Sequence, residues 1–211
     1  MNQPDQALNW HERSILESLD AILQSDVVRA AIDPIVNRVA RKLAQDRAAL
    51  MAWEPIPLSI YGESLPVIIR SSWFFTLRAG ATTGAERHPN SHQRMMSFHG
   101  AGDLQTGDKG HWRSHPLVSN RDADLEQRWV SIPTNVWHQA VVPDADWVVV
   151  SFHTVPAEEL IEERPDAANV GLTHQRRYLT TSQQRARGFN CEFDALPGGS
   201  ERPQRSEANR L

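Results

Sequence analysis

Between residues 55 and 156 the chain is a series of short apolar runs, each ended by glycine, proline, asparagine or aspartate. The runs are rich in valine, isoleucine, phenylalanine and tryptophan, the residues that favour strands. They read LPVIIRSSWFFTLRAG, RMMSFHG, QRWVSIP, HQAVV and DWVVVSFHTVP. Short strands separated by turns are typical of antiparallel sheets that close into a sandwich or barrel. The segment therefore predicts a mainly β fold.

The first quarter of the chain has a helical periodicity instead. Asn9 and Glu12 resemble the start of a helix with a capping box. Apolar residues then recur at helical spacing, at Ile15, Leu16, Leu19, Ile22 and Leu23. Asp33-Pro34 predicts the start of a second helix, with proline at its first position. The apolar stripe of that helix is Ile35, Val36, Val39, Leu43 and Leu50.

These patterns divide the chain into three parts of a single domain. We expect an N-terminal helical cap over residues 1–54, a β-barrel over 55–156 and a C-terminal extension over 157–211. The stretch AEELIEE, residues 157–163, predicts a short helix. The polar, arginine-rich remainder predicts a loosely ordered tail, with an arm that clasps an oligomer as the alternative.

Composition limits the class of protein. The 211 residues are 40% hydrophobic and carry a net charge of −4, which argues against a nucleic-acid partner. The single cysteine, Cys191, excludes an internal disulfide and fits a reducing compartment. We see no apolar run long enough to span a membrane and no signal-peptide pattern at the first residues. We therefore expect a cytoplasmic protein without membrane partners, and leave the oligomeric state open, a homo-oligomer included.

The stretch GAERHPNSHQRMMSFHG, residues 84–100, contains the strongest candidate for chemistry. In an extended segment alternate side chains share a face, so Glu86 and His88 point the same way. His138 opens the apolar run HQAVV, and we expect its ring to enter the same interior. Two histidines and one carboxylate form the facial ligand set of Fe(II). The sequence predicts a metal site at Glu86, His88 and His138, with His92 in place of Glu86 as the alternative.

This stretch resembles the first motif of the cupins, H-x-H followed by Pro, Glu and Gly. Glu86 and His88 stand at the two histidine positions, Gln93 at the glutamate position and Gly100 at the glycine. The segment from Pro133 to His138 resembles the second motif, P-x-G-x-x-H. There Asn135 replaces a turn glycine, and asparagine tolerates the left-handed conformation. The resemblance implies a cupin-type antiparallel β-barrel, a jelly roll, which here carries the helical cap.

Residues 9–156 also resemble the cysteine dioxygenase family, the thiol dioxygenases. That family has H-x-H, two residues and Ser-His-Cys, where this chain has E-R-H-P-N-S-H-Q. Gln93 and Val155 replace the cysteine and tyrosine that crosslink in some members. The family's substrate-binding arginine has no clear match, and Arg70, Arg78 and Arg94 stay open as substitutes.

The same resemblance implies a role for His153, which follows His138 by fifteen residues within Ser151-Phe-His153. A histidine at that spacing would touch substrate without binding the metal. The alternative is a buried histidine that is simply hydrogen-bonded by Ser151. Gln93 is predicted to donate a hydrogen bond at the site, or to be a weak fourth ligand.

Together these features predict a mononuclear non-haem iron dioxygenase that oxidises a small thiol or small organic acid with O2. The expected cofactor is Fe(II), with another divalent metal as the alternative, and we identify no organic cofactor site. The predicted catalytic residues are His153, Ser151 and Gln93. Two other readings stay open because fold does not imply function: a metal-dependent isomerase, lyase or hydrolase, and a ligand-binding protein without catalysis.

Overall fold

The structure, a computed structural model, describes residues 9–108, 111–166 and 172–177. Two helices come first, α1 (Trp10–Gln24) and α2 (Asp26–Gln45). The strands are β1 (Met51–Pro55), β2 (Ser71–Leu77), β3 (Gln93–His99), β4 (Ala101–Asp108), β5 (His111–Arg113), β6 (Pro116–Val118), β7 (Trp129–Ile132), β8 (Trp137–Val141), β9 (Trp147–His153), β10 (Ile161–Pro165) and β11 (Thr173–Arg177). A 3₁₀ turn lies at Leu58–Tyr61, and a short helix α3 at Leu125–Arg128.

The strands form two main antiparallel sheets and a hairpin. The first sheet has the order β1-β2-β9-β3-β7. In the second, β4 pairs with β5, β6 and β8, and β10 pairs with β11 as the hairpin. Gly100, with φ of 81°, carries the chain from β3 in the first sheet to β4 in the second. The architecture confirms the predicted mainly β, jelly-roll type of fold with a helical N-terminus.

The central strands of the first sheet are buried on both faces, because helices cover one face and the second sheet covers the other. Phe74 and Phe152 belong to the apolar cluster shared with α1 and α2. Phe75 and Val149, at the alternate positions, belong to the cluster between the sheets. This alternation follows from the two-residue period of a strand. It turns the odd-numbered residues of β3, such as Gln93, toward the barrel interior.

The helical cap is tied to the barrel by a buried ion pair. Arg94 donates two hydrogen bonds of 2.7 Å to the carboxylate of Glu12. Ser131 donates a third to the same carboxylate at 2.7 Å. The N-cap predicted for the first helix is confirmed, because Asn9 Oδ1 accepts a hydrogen bond of 2.8 Å from the backbone amide of Glu12. The side chain of Glu12, however, accepts hydrogen bonds from Arg94 and does not bind the backbone amide of Asn9, so the capping box is not completed.

The predicted boundaries of the helices are wrong in two places. Helix α2 begins at Asp26, and Pro34 lies inside it. The packing of Ile32 and Ile35 against the sheet outweighs the hydrogen bond that the proline removes. The helical segment also ends earlier than expected, because Leu50 lies beyond α2 and residues 51–55 form strand β1.

The helix predicted for residues 157–163 is also wrong. Residues 157–159 form a turn, and the chain then enters β10. Leu160 is buried in the barrel core, and Glu163 forms an antiparallel bridge with Arg87. Strand pairing with the barrel therefore overrides the local helical preference of the glutamates. The loosely ordered tail predicted after residue 163 is wrong in part, because Thr173–Arg177 form strand β11 and pair with β10. The tail beyond residue 177 lies outside the described residues, and the division into three parts stays a prediction.

No helix in the described part of the chain is long and apolar enough to cross a bilayer.

Candidate metal centre

Three of the predicted site residues come together where the β8 strand faces the loop before β3. Glu86 and His138 exchange two backbone hydrogen bonds of 2.9 and 2.8 Å, which fixes their side chains on the same side. His88 follows two residues after Glu86 and shares its face. One ligand atom from each of Glu86, His88 and His138 lies within 4.8 Å of the other two. The fold therefore brings these three donors close to one point.

Backbone carbonyls orient both imidazole rings. His88 Nδ1 lies 2.9 Å from the carbonyl oxygen of Ile161, and His138 Nδ1 lies 3.2 Å from that of Val136. A carbonyl only accepts hydrogen bonds, so each Nδ1 carries a proton, and in a neutral ring Nε2 then keeps its lone pair. Histidine ligands in metalloproteins are held in this way.

The second nitrogen of His138 is the least satisfied atom of the cluster. His138 Nε2 is buried and has no hydrogen-bond partner among the described residues. It lies 3.5 Å from Glu86 Oε1, at the limit of hydrogen-bond distance. Buried polar atoms without partners are uncommon, and each one needs an explanation. A metal ion is the simplest partner for a buried imidazole lone pair beside a carboxylate.

Glu86 is held as a carboxylate by a residue from strand β10. Arg164 Nη2 binds Glu86 Oε2, which leaves Oε1 on the side of His138. Burial alone would raise the pKa of Glu86, but the neighbouring His138 and the charge of Arg164 lower that pKa far below its ordinary value. Arg164 also binds Glu162, at 2.6 Å. No sequence pattern pointed to Arg164, which lies just beyond the segment predicted as a helix.

His88 is neutral at ordinary pH. Its burial, with the neighbouring His138 as a second cause, lowers the pKa of His88 to about 4. A neutral imidazole is the form that binds a metal. Burial also lowers the pKa of His153 well below its ordinary value, with His88 and His138 adding to the effect.

The three residues predicted to be catalytic all face the barrel interior. His153 pairs with Gln93 across the sheet, and Ser151 lies on the same strand face. The rings of His153 and His88 are 5.0 Å apart, edge to face. Ser91 Oγ and Ser151 Oγ each lie 3.3 Å from a ring nitrogen of His153. His153 therefore sits behind the ligand cluster, and its catalytic role stays a prediction.

The alternative ligand His92 faces away from the cluster. Its Nε2 contacts Ser131 Oγ at 2.7 Å and lies 3.6 Å from Glu12, on the side of the helical cap. The three candidate arginines are placed elsewhere too. Arg94 is bound to Glu12, Arg78 donates to three backbone carbonyls, and Arg70 is exposed.

A small, partly open cavity lies beside the cluster, between the two sheets. Its polar lining consists of Glu86, His138, Gln93 and Thr83, and its other walls are apolar. The oxygen Oε1 of Gln93 is buried without a hydrogen-bond partner among the described residues. Candidate ligands and cavity therefore form one site.

Comparison with known proteins gives structural matches only. No model of a known protein family matches the chain, and no curated protein matches its sequence. Pumpkin seed globulin is 18% identical with a TM-score of 0.41, over 54% of this chain and 28% of that one. Oxalate oxidase in complex with the substrate analogue glycolate is 14% identical with a TM-score of 0.39, over 52% and 54%. CapF from Staphylococcus aureus is 12% identical with a TM-score of 0.40, over 59% and 31%.

These three proteins are cupins, the superfamily that the sequence motifs resemble, and none is a thiol dioxygenase. This chain spans about half the length of the oxalate oxidase and less than a third of the other two. Matches of this strength assign neither a family nor an activity to this chain.

Proposed function

We propose that this protein is a mononuclear non-haem iron dioxygenase that oxidises a small substrate, a thiol being the first candidate. The observation that carries the proposal is the buried His138 Nε2, which has no hydrogen-bond partner among the described residues. The carboxylate of Glu86 and the ring of His88 lie beside it. Leaving this nitrogen unpaired is costly, and a bound metal ion removes that cost.

The donor set favours iron over most other metals. Two neutral imidazoles and one carboxylate are the ligands of mononuclear Fe(II) oxygenases, which keep positions open for substrate and O2. The same three residue types also bind catalytic zinc. Glu86, His88 and His138 would hold the ion, whichever of the two metals is bound. An iron ion in this site would supply the acidification of a bound thiol and the electron-transfer chemistry that O2 requires.

The residues around the ligands support this assignment. Arg164 keeps Glu86 ionised and fixes its orientation. The carbonyls of Ile161 and Val136 hold both rings through Nδ1. The cavity in front of the ligands has mainly apolar walls. Partners that orient ligands in this way affect metal affinity or activity by roughly 10- to 100-fold when removed.

The overall reaction balances without an external reductant. A thiol R–SH and one O2 combine to a sulfinic acid, R–SO2H, in which the sulfur is oxidised and both oxygen atoms are retained. The site has to bind the thiol, bring it next to O2 and accept the thiol proton. His153, beside His88 and hydrogen-bonded by two serines, is the residue we assign to orienting the substrate.

Anaerobic purification with metal analysis tests the proposal. We expect about one equivalent of iron, and its loss in the His138→Ala and His88→Ala variants. His92→Ala is the matched control, because His92 faces the helical cap, and it should keep its iron. The iron-loaded protein should consume O2 when small thiols are added. His153→Ala should keep its iron and lose about 10- to 100-fold in turnover.

Other outcomes point to other functions. Stoichiometric zinc without O2 uptake would overturn the oxygenase assignment and favour a hydrolase, isomerase or lyase. Iron that survives the His138→Ala and His88→Ala changes would refute the ligand set. Full turnover in His153→Ala would leave that histidine with a structural role alone.

A further inference from the structure

Glu86 and His88 lie in the segment that joins strands β2 and β3, outside any regular strand. Glu86 forms an isolated antiparallel bridge with His138 of β8, and the next residue, Arg87, forms a second one with Glu163 of β10. Arg87 and Glu163 exchange backbone hydrogen bonds of 3.0 and 2.9 Å. Two isolated bridges fix less backbone than a continuous strand ladder, so side-chain contacts have more to contribute to the position of the two ligands.

Strand β10 supplies the groups that hold both of these ligands. The carbonyl oxygen of Ile161 lies 2.9 Å from His88 Nδ1. The guanidinium of Arg164, from the same strand, binds the carboxylate of Glu86. The third ligand, His138, belongs to β8. The spacing between β8 and β10 therefore determines how closely the three ligands approach one another.

Arg87 stands between the two ligands in the sequence, and its side chain points the other way. Neighbouring residues of an extended segment face opposite sides, and the contacts of Arg87 agree with this. Its guanidinium carbon lies 4.6 Å from the centre of the ring of Trp137, the residue before His138. Its Nε donates a hydrogen bond of 2.6 Å to Glu163 Oε2. One side chain thus joins β8 to β10 on the outer side of the ligand cluster.

These contacts are more protected than an ordinary surface ion pair. The side chain of Glu163 is 6% exposed and that of Arg87 is 28% exposed. Gln175 of β11 donates a second hydrogen bond to the carboxylate of Glu163. Arginine suits this position because its planar group can stack on an aromatic ring while its N–H groups bind a carboxylate.

We propose that Arg87 is a positioning residue of the metal site: by joining Trp137 to Glu163, it holds β8 and β10 at the spacing at which the three ligands converge. The inference rests on the proposed function, because it concerns metal binding by the same ligands. Arg87 acts through the two strands and does not bind the metal. Its positive charge by itself disfavours a bound cation, so positioning and charge predict opposite effects when Arg87 is replaced.

Titration of the full chain with Co²⁺, after removal of metal by chelation, tests the inference. The visible absorption of bound Co²⁺ reports both its affinity and its ligand geometry. Arg87→Met should weaken Co²⁺ binding by about tenfold, the lower end of the range for partners that orient metal ligands. Glu163→Gln removes the opposite charge and should also weaken binding. In both variants the absorption of bound Co²⁺ should change, because the ligands no longer converge in the same way.

A control and a neutral variant separate positioning from charge and from folding. Arg13→Met also removes an arginine from an ion pair, at the surface of the helical cap, and should bind Co²⁺ as the natural chain does. Trp137→Leu changes no charge and should weaken Co²⁺ binding too. Thermal unfolding of the metal-free proteins checks that each variant is folded, and Trp137→Leu decides the test if Arg87→Met does not fold.

Two results would overturn the inference. One is Co²⁺ affinity in Arg87→Met, or in Trp137→Leu, that equals or exceeds that of the natural chain. The other is a change of opposite sign in Arg87→Met and Glu163→Gln, because that is the effect of charge alone.

These results are separable from the fate of the proposed function. A natural chain that binds no Co²⁺ refutes the metal site and both proposals with it. A natural chain that binds Co²⁺ no more tightly than Arg87→Met keeps the metal site and loses the positioning role. A chain with the expected variant effects that consumes no O2 when loaded with iron keeps Arg87 as a positioning residue and loses the dioxygenase.

Discussion

Replacing Glu12 by glutamine should remove the charge that balances a buried arginine. Arg94 is 2% exposed, and both of its hydrogen bonds to Glu12 measure 2.7 Å. Glutamine keeps the shape of the side chain but leaves the guanidinium buried without a counter-charge. Breaking one partner of a buried pair costs about 3–5 kcal/mol. That is a large part of the roughly 5–15 kcal/mol by which a typical domain is stable.

Urea unfolding measures this cost directly. Glu12→Gln should lower the midpoint while the slope of the free energy of unfolding against urea stays unchanged. Glu17→Gln is the matched control, because Glu17 on the same helix pairs with Arg13 at 3.5 Å on the exposed surface. Exposed pairs of this spacing contribute about 0.3–0.5 kcal/mol. A loss below about 1 kcal/mol in Glu12→Gln would refute the desolvated ion pair between cap and barrel.

The pH dependence gives an independent check of the same pair. Burial would raise the pKa of Glu12, but hydrogen bonds from Arg94 and Ser131 outweigh it and lower the pKa below 4.5. A carboxyl group whose pKa is lowered on folding stabilises the protein above its unfolded pKa and loses that contribution as the pH falls through the folded value. Part of the stability that the natural chain loses below about pH 4.5 should therefore come from protonation of Glu12. Glu12→Gln should not show this contribution to the acid-dependent loss.

Two further predictions concern the barrel interior. Because the pKa of His88 falls from 6.5 to about 4 on folding, its contribution to the stability of the metal-free protein should be lost as the pH drops through that window, by up to about 1.4 kcal/mol per unit. Urea unfolding at a series of pH values should show that the free energy of unfolding depends less steeply on pH in His88→Gln than in the natural chain. An equal dependence on pH would contradict the lowered pKa of His88. A Cβ at Gly102 would lie 2.2 Å from the Trp147 ring, so Gly102→Ala should cost about 1–3 kcal/mol or more by overpacking. Thermal unfolding measures this loss, which Trp147→Leu should partly relieve, and an unchanged midpoint would show that the ring yields freely.

Much of the barrel could be predicted from local pattern. The apolar runs around β2, β3, β8 and β9 were identified because a strand repeats every two residues, and that period is visible in the sequence. The order of the candidate ligands came from motif spacing, and the folded chain brings Glu86, His88 and His138 together. The left-handed turn predicted at Asn135 is confirmed, with φ of 65°, because asparagine is one of the few residues that adopt it at low cost.

The limits of prediction lie where distant segments choose their partners. Pro34 marks a helix start by local rules, yet α2 continues through it because the apolar stripe of the helix packs on the sheet. The glutamates of residues 157–163 favour a helix locally, yet pairing with residue 87 draws this segment into a strand arrangement. In both places tertiary packing outweighs a local preference of at most a few kcal/mol.

The candidate site likewise contains residues that local pattern identifies and contacts that only the fold creates. The sequence alone determined which residue types could bind a metal, because ligand chemistry and strand alternation are local properties of Glu86, His88 and His138. Only the tertiary structure decided that Arg164 holds Glu86 and that Arg94 turns away to Glu12. An arginine carries the same charge wherever it stands in a sequence. The carboxylate it meets depends on which strand edges and helix faces the fold brings together.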